Sequence, residues 1–195
     1  MKYFQELEGN RELINHIEDL WSQDSSMRNS TVGFGRRLGW YAFARVLKPR
    51  IVVETGVHHG IGSLVITSAL LENSKEGFVG KYIGTDIDRN AGILLKPPYS
   101  NFGNILYGDS LESLKTFSDC IDLFINDSDH SPIYESLEYQ LVRDRLSPNA
   151  FLLGDNSHVS NSLRNFSIDN GRKFVFFKEI PKNHWYPGAG IGISF

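Results

Sequence analysis

The stretch "DLFINDSDHSPIY", Asp122 to Tyr134, sets three carboxylates and a histidine on or just past an apolar run. Asp127, Asp129 and His130 fall where a strand should end. Carboxylates are strongly disfavoured in an apolar interior unless they are paired. A cluster at this position therefore calls for a counter-charge or a reaction.

A second stretch, "VVETGVHHGIGS", follows a β-branched run and opens a helical one. Gly56, Gly60 and Gly62 let the backbone turn tightly and approach a ligand closely. The spacing is not the G-x-G-x-x-G of nicotinamide enzymes. Asp86 ends the next strand, roughly thirty residues after Gly56, where an acid can accept both hydroxyls of a ribose. Asp109 and Ser110 end the strand after that, at the place for an adenine. Ligands of open α/β sheets bind at such carboxyl ends, so the three strand ends together predict a nucleoside cofactor. For the glycines alone, an ordinary strand-to-helix turn is the plainer alternative.

These residues need a scaffold that brings strand ends together. "RIVVETG", "KYIGTDID", "NILYGD", "CIDLFIND" and "NAFLLGDN" read as strands, each ending in glycine, acid or amide. Between and after them, "IGSLVITSALLE", "SLESLKTF", "SPIYESLEYQLVRDRL" and the stretch around "VSNSLRNFSIDN" read as helices. Strand and helix alternating in this way predict a parallel sheet covered on both faces. "KFVFFKEI" and "AGIGISF" are two further strands joined only by "PKNHWYPG", hence an antiparallel pair. Upstream, "RELINHIEDLW" has helical spacing, "SSMRNSTVGFGRRLG" is loop-like, and "WYAFARVL" is a helix closed by Pro49.

A chain of 195 residues suits one domain. A formal net charge of −3 does not suggest a nucleic-acid partner. No stretch is long and apolar enough to cross a bilayer, and "MKYFQELEGNRELINHIEDLW" is unlike a signal or transit peptide. Cys120 is the single cysteine, and its place beside "IDLFI" predicts a buried, inert thiol. The expected location is a reducing cytoplasm; a homo-oligomer is left open.

"VVETGVHHGIGS", "YIGTDID", "LYGDS", "FINDSDH" and "LLGDN" resemble the class I S-adenosylmethionine-dependent methyltransferases, over about Arg50 to Phe195. Within that class the chain is similar to the metal-dependent small-molecule O-methyltransferases of catechol and caffeoyl-CoA type, and to the cephalosporin-hydroxylase-like group. The resemblance implies an α/β, Rossmann-like fold: a seven-stranded, mostly parallel sheet with a C-terminal antiparallel hairpin and an N-terminal helical lid. The whole is a single domain, 1–195, with a lid or extension at 1–49 and a core at 50–195. The resemblance also implies that Glu54, Gly56, Gly60, Ser63, Asp86, Asp109 and Ser110 serve S-adenosylmethionine. Asp127, Asp155 and Asn156 match the family's metal ligands. Two residues depart from the pattern. The polar residue that usually follows the second glycine comes one place later, at Ser63, with Gly62 in its slot. The usual catalytic lysine is His130.

Asp127 and Asp155–Asn156 end strands that are neighbours in this fold, roughly 4.8 Å apart, so their side chains can converge on one ion. Two carboxylates and an amide oxygen suit Mg²⁺ first, with Mn²⁺ or Ca²⁺ as alternatives. Simple capping of the following helices is the competing account. A divalent cation acidifies and orients a hydroxyl. His130 is expected just inside the next helix's first turn, where the helix dipole and the cation favour a neutral imidazole. That suits it to be the general base, with Asp127 beside it; a metal ligand and a residue at a helix start are the alternatives. Asp129 could orient His130, join the metal shell or touch substrate. His58 and His59 lie in the glycine turn, His158 follows the metal pair, and His184, Trp185 and Tyr186 could wall a substrate pocket. "YESLEYQL" reads as core and solvated face. The leading expectation is methyl transfer to a hydroxyl of a small molecule, without nucleic-acid or membrane partners. A metal-independent N- or C-methyltransferase and a non-catalytic S-adenosylmethionine-binding module are the alternatives.

Overall fold

The computed structural model describes residues 2–23, 32–180 and 188–195. His184, Trp185 and Tyr186, and most of the "SSMRNSTV" segment, lie outside the described residues. Seven strands form one sheet: β1 Ile51–Thr55, β2 Lys81–Asp86, β3 Gly103–Tyr107, β4 Ile121–Asn126, β5 Leu146–Gly154, β6 Phe174–Lys178 and β7 Gly190–Ser194, in the order β3-β2-β1-β4-β5-β7-β6. β1 to β5 are parallel. β7 is antiparallel to both β5 and β6, so β7 alone runs against the others. The apolar, β-branched runs suit strands buried on both faces.

The helices are α1 Lys2–Glu8, α2 Arg11–Ser22, α3 Arg37–Leu47, α4 Ile61–Lys75, α5 Ser110–Thr116, α6 Pro132–Val142 and α7 Ser162–Asp169. Their ends follow from local chemistry. Asn10 accepts the Leu13 N–H at the start of α2, and Asp109 accepts the Leu111 N–H at the start of α5. Pro132 opens α6. Lys48, left-handed at φ 49°, and Pro49 close α3. Between β2 and β3 the chain has turns and a short 3₁₀ segment, Tyr99–Phe102. No helix among the described residues is long and apolar enough to cross a membrane.

Alternate residues along each strand feed opposite cores. Val52, Leu123, Ile125 and Leu153 join one cluster with α1–α4, whereas Val53, Phe124 and Leu152 join another under α5–α7. The N-terminal helices, expected as a lid, are built into the first core. Leu7, Leu13 and Ile17 are fully buried there with Leu64, Leu70 and Leu94. Arg45, also buried, ties α3 to Glu6 of α1 at 2.6 Å, to Asn73 in the last turn of α4 and to Glu76 just after it. Among the described residues of the extension, Arg36 and Arg37, at the start of α3, line the cleft at the sheet's carboxyl edge.

Two local expectations are corrected. Cys120 is exposed, because the strand begins at Ile121 and the thiol belongs to the turn before it. His130 lies outside α6, before its N-cap Ser131, so the dipole of that helix has no first turn in which to hold it.

Candidate active site

A cleft of about 640 Å³ opens along the carboxyl ends of β3, β2, β1 and β4. Its position is the switch point of the topology, where β1 continues to β2 on one side and β4 lies on the other. Gly56, with φ 84°, turns the chain out of β1; a Cβ there would lie 2.0 Å from the Asp127 carbonyl oxygen. Gly60 (φ 97°) packs on Gly92, where a Cβ would meet Cα at 3.1 Å. Asp86 fixes this turn. Its Oδ2 accepts the backbone N–H groups of Val57 (2.9 Å) and His58 (2.8 Å), and Oδ1 accepts that of Asp88 (2.8 Å). Asp86 also lines the cleft. His58 lines it too; burial and the adjacent His59 favour its neutral form.

Glu54 and Ser63 lie beneath the cleft wall. Glu54 accepts a hydrogen bond from the Tyr82 hydroxyl at 2.5 Å, and Ser63 Oγ bonds the same hydroxyl at 2.7 Å. Burial pushes the Glu54 carboxyl up to about 7, against the pull of Tyr82 and Arg37. Ser63, expected to touch the cofactor, is fully buried and turned away from the cleft. Gly62 is pressed by Glu54 and Trp40; a Cβ there would lie 2.4 Å from Glu54 Oε1 and 2.7 Å from Trp40.

At the β3 end, Asp109 Oδ1 caps α5 and accepts the Tyr134 hydroxyl at 3.1 Å. Ser110 also lines the cleft, but its hydroxyl is held by Glu138 and Tyr134. Glu138 is fully buried and receives Thr55 and Asn126 from the ends of β1 and β4, Ser110 from the start of α5, and Ser128 from the loop after β4. Burial pushes its carboxyl up to about 7, opposed by these donors.

The opening cluster gathers at the ends of β4 and β5. Ligand atoms of Asp127, His130 and Asp155 all lie within 4.8 Å of one another. His130 Nε2 is 3.9 Å from Asp127 Oδ1 and 3.1 Å from Asn156 Nδ2. Asn156 reaches inward from a left-handed position, φ 54°, which asparagine tolerates. Burial and the Asp155 charge hold the Asp127 carboxyl well above the usual range. Asp129 is exposed and caps the loop through the Ser131 N–H at 2.7 Å.

Two arginines join this cluster. Arg36 pairs with the fully buried Asp155 carboxylate: Nη2 donates to Oδ2 at 2.6 Å, and Nε stands 2.5 Å from Oδ1 as an ion-pair contact without hydrogen-bond alignment. Arg37 stands 4.0 Å from Asp127 Oδ2. The sequence reading passed over both, as part of a loop. A double arginine just ahead of a helical run was their visible signal. Glu138 had a clearer one: the buried face of α6 is Glu135, Glu138, Tyr139 and Val142, core spacing with glutamates in core places.

Residues 53–157, just over half of the chain, match a family model described as a methyltransferase domain. No curated protein matches the sequence. Solved structures share the fold. Cofactor-bound Rv0187 from MTB is 14% identical, with 97% of this chain and 92% of that one covered at a TM-score of 0.73. The O-methyltransferase TomG from Streptomyces achromogenes, involved in tomaymycin synthesis and in complex with SAM, is 14% identical over 95% and 89%, TM-score 0.68. The Bacillus cereus O-methyltransferase in complex with SAH is 12% identical over 95% and 91%, TM-score 0.67.

Proposed function

Because the chain belongs to the methyltransferase-domain family, we propose that it transfers the methyl group of S-adenosylmethionine to a hydroxyl of a small molecule, assisted by a divalent cation. The observation that carries the metal reading is the cluster at the ends of β4 and β5. Asp127 and Asp155 face each other with too little room for both charges, and the side-chain oxygen of the neighbouring Asn156 would complete a set of hard donors, with His130 beside it. Those residues fit an ion such as Mg²⁺ or Mn²⁺. When bound, the cation would acidify and orient the acceptor hydroxyl.

The remaining roles belong to side chains. Asp86 holds the glycine turn and offers its free lone pairs to the ribose. Gly56 and Gly60 let the backbone close around the cofactor. Asp109 and Ser110 border the adenine end, Asp109 by its carboxylate and Ser110 by its place in the wall. Glu54 and Ser63 support the turn from below. His130 takes the hydroxyl proton on Nε2 as the oxygen attacks; the O–CH₃ bond forms, the S–CH₃ bond breaks, and S-adenosylhomocysteine leaves. A second reading makes His130 a ligand of the cation, supported by its place among the converging donor atoms.

The test is turnover against a panel of small phenols and aliphatic alcohols. Chelation should abolish it, and Mg²⁺ or Mn²⁺ should restore it. Asp155→Asn should lose turnover yet still bind S-adenosylhomocysteine. Full activity in excess chelator would move the assignment to a metal-independent N- or C-methyltransferase. Tight cofactor binding without turnover on any acceptor would favour a binding module.

A further inference from the structure

Arg37 is the cleft's one loosely held arginine among the described residues. It lines the cleft beside Gly56 and Asp127. Its partner Arg36 is committed to both oxygens of Asp155. Arg37 reaches an acid only at 4.0 Å, and its buried Nε has no partner. Its guanidinium carbon lies 5.4 Å from the Trp40 ring centroid, which supports the guanidinium in place. A planar guanidinium held in this way is suited to a carboxylate, which it can grip with two parallel bonds.

The geometry says which carboxylate. Asp86 and Asp109 place the nucleoside over β2 and β3. A cofactor stretched along the strand ends then lays its amino-acid end over β1 and β4, where Arg37 stands. No hydroxyl from the start of α4 is available there. Gly62 has none, and Ser63 points at Tyr82. We propose that Arg37 binds the α-carboxylate of S-adenosylmethionine, replacing a side chain that the helix start does not supply. The proposal rests on the cofactor reading above.

The experiment measures calorimetric binding of two ligands to wild-type protein and to Arg37→Ala and Arg37→Lys. S-adenosylhomocysteine carries the amino-acid carboxylate; 5′-methylthioadenosine has the same nucleoside without it. Arg37→Ala should weaken S-adenosylhomocysteine by about 10- to 100-fold, the worth of one charge-assisted contact. It should leave 5′-methylthioadenosine within about twofold, since that ligand meets no arginine. Arg37→Lys should recover part of the loss, and it keeps the test open should the alanine variant fold poorly. Equal weakening of both ligands would overturn the proposal and make Arg37 a support of the cleft wall. Undiminished S-adenosylhomocysteine binding would also overturn it, and would pass the guanidinium to a carboxylate on the acceptor. If wild-type protein binds neither ligand, the cofactor reading fails and the proposal with it.

Discussion

Replacing Arg36 by glutamine should destabilise the protein in chelator, and a divalent cation should offset most of that loss. The guanidinium holds both oxygens of a carboxylate with no solvent exposure, at 2.5 and 2.6 Å, while Arg36 itself is 27% exposed. Removing one partner of a buried pair costs about 3–5 kcal/mol. Exposure of the arginine places the loss near the lower end, about 3 kcal/mol. For a chain of this length each kcal/mol moves the melting temperature by about 2–4 °C, so Arg36→Gln should melt about 6–12 °C lower. Asp127 worsens the deficit, because it shares the pocket with the carboxylate left behind. A divalent cation at a hundred times its Kd stabilises the folded state by about 2.7 kcal/mol, close to the whole loss. The variant in Mn²⁺ should thus melt close to the wild-type protein in chelator. A variant within about 2 °C of wild type in chelator, under 1 kcal/mol on the same scale, would refute the ion pair. A destabilised variant that Mn²⁺ fails to rescue would refute the cation site.

Three further outcomes are expected. His130→Ala should lower kcat by about 10²–10⁴, the usual weight of a general base, and leave cofactor affinity intact; His130→Lys should retain more activity than alanine, and loss of Mn²⁺ binding in both variants would make His130 a ligand. Glu54 and Glu138 are pushed by burial up to about 7, whereas unfolded glutamate titrates near 4.3. Between those values the folded chain keeps protons that the unfolded chain has lost, so their stabilising contribution is full below about 4 and is lost as pH rises through 7. The urea midpoint in chelator should therefore fall from pH 5 to pH 8, and less steeply in Glu138→Gln; a flat profile would contradict the burial argument. Gly62→Ala should cost about 1–3 kcal/mol by overpacking against Glu54 and Trp40, read as a lower urea midpoint.

Local pattern carried the strands and most helices because burial writes directly into residue spacing. "IVVET", "IDLFIN" and "AFLLG" could hardly be anything but central strands, and with "KYIGTD" and "NILY" their carboxyl ends delivered Asp86, Asp109, Asp127 and Asp155 to one edge. What escaped was decided by partners far along the chain. Arg36 meets Asp155 across 119 residues, and Asn10 meets Ser68 across 58, which no window of spacing contains. Ser63 has the right type at nearly the right place, but one residue of helix turns its hydroxyl by about 100°, away from the cleft and onto Tyr82. Glu138 was misread because its burial depends on donors from two strand ends, a helix start and a loop at once. Cys120 failed on a boundary of a single residue.

β7 follows β6 in the chain yet lies between β5 and β6 in the sheet. Leu152, Leu153 and Gly154, the residues leading into Asp155, have Ser194, Ile193 and Gly192 as partners on that side. Until residues 190–194 insert, β5 carries an open edge beside the carboxylates, and "FVFFK" has no place in the sheet to occupy. Unpaired edges of this kind are where partly folded chains associate. The order of assembly therefore makes the edge that leads into Asp155 one of the last parts of the molecule to mature. Damage to β7, such as Gly192→Val against Ser157 and Phe174, should show first as poor yield and aggregation, with the chemistry of the surviving folded fraction little changed.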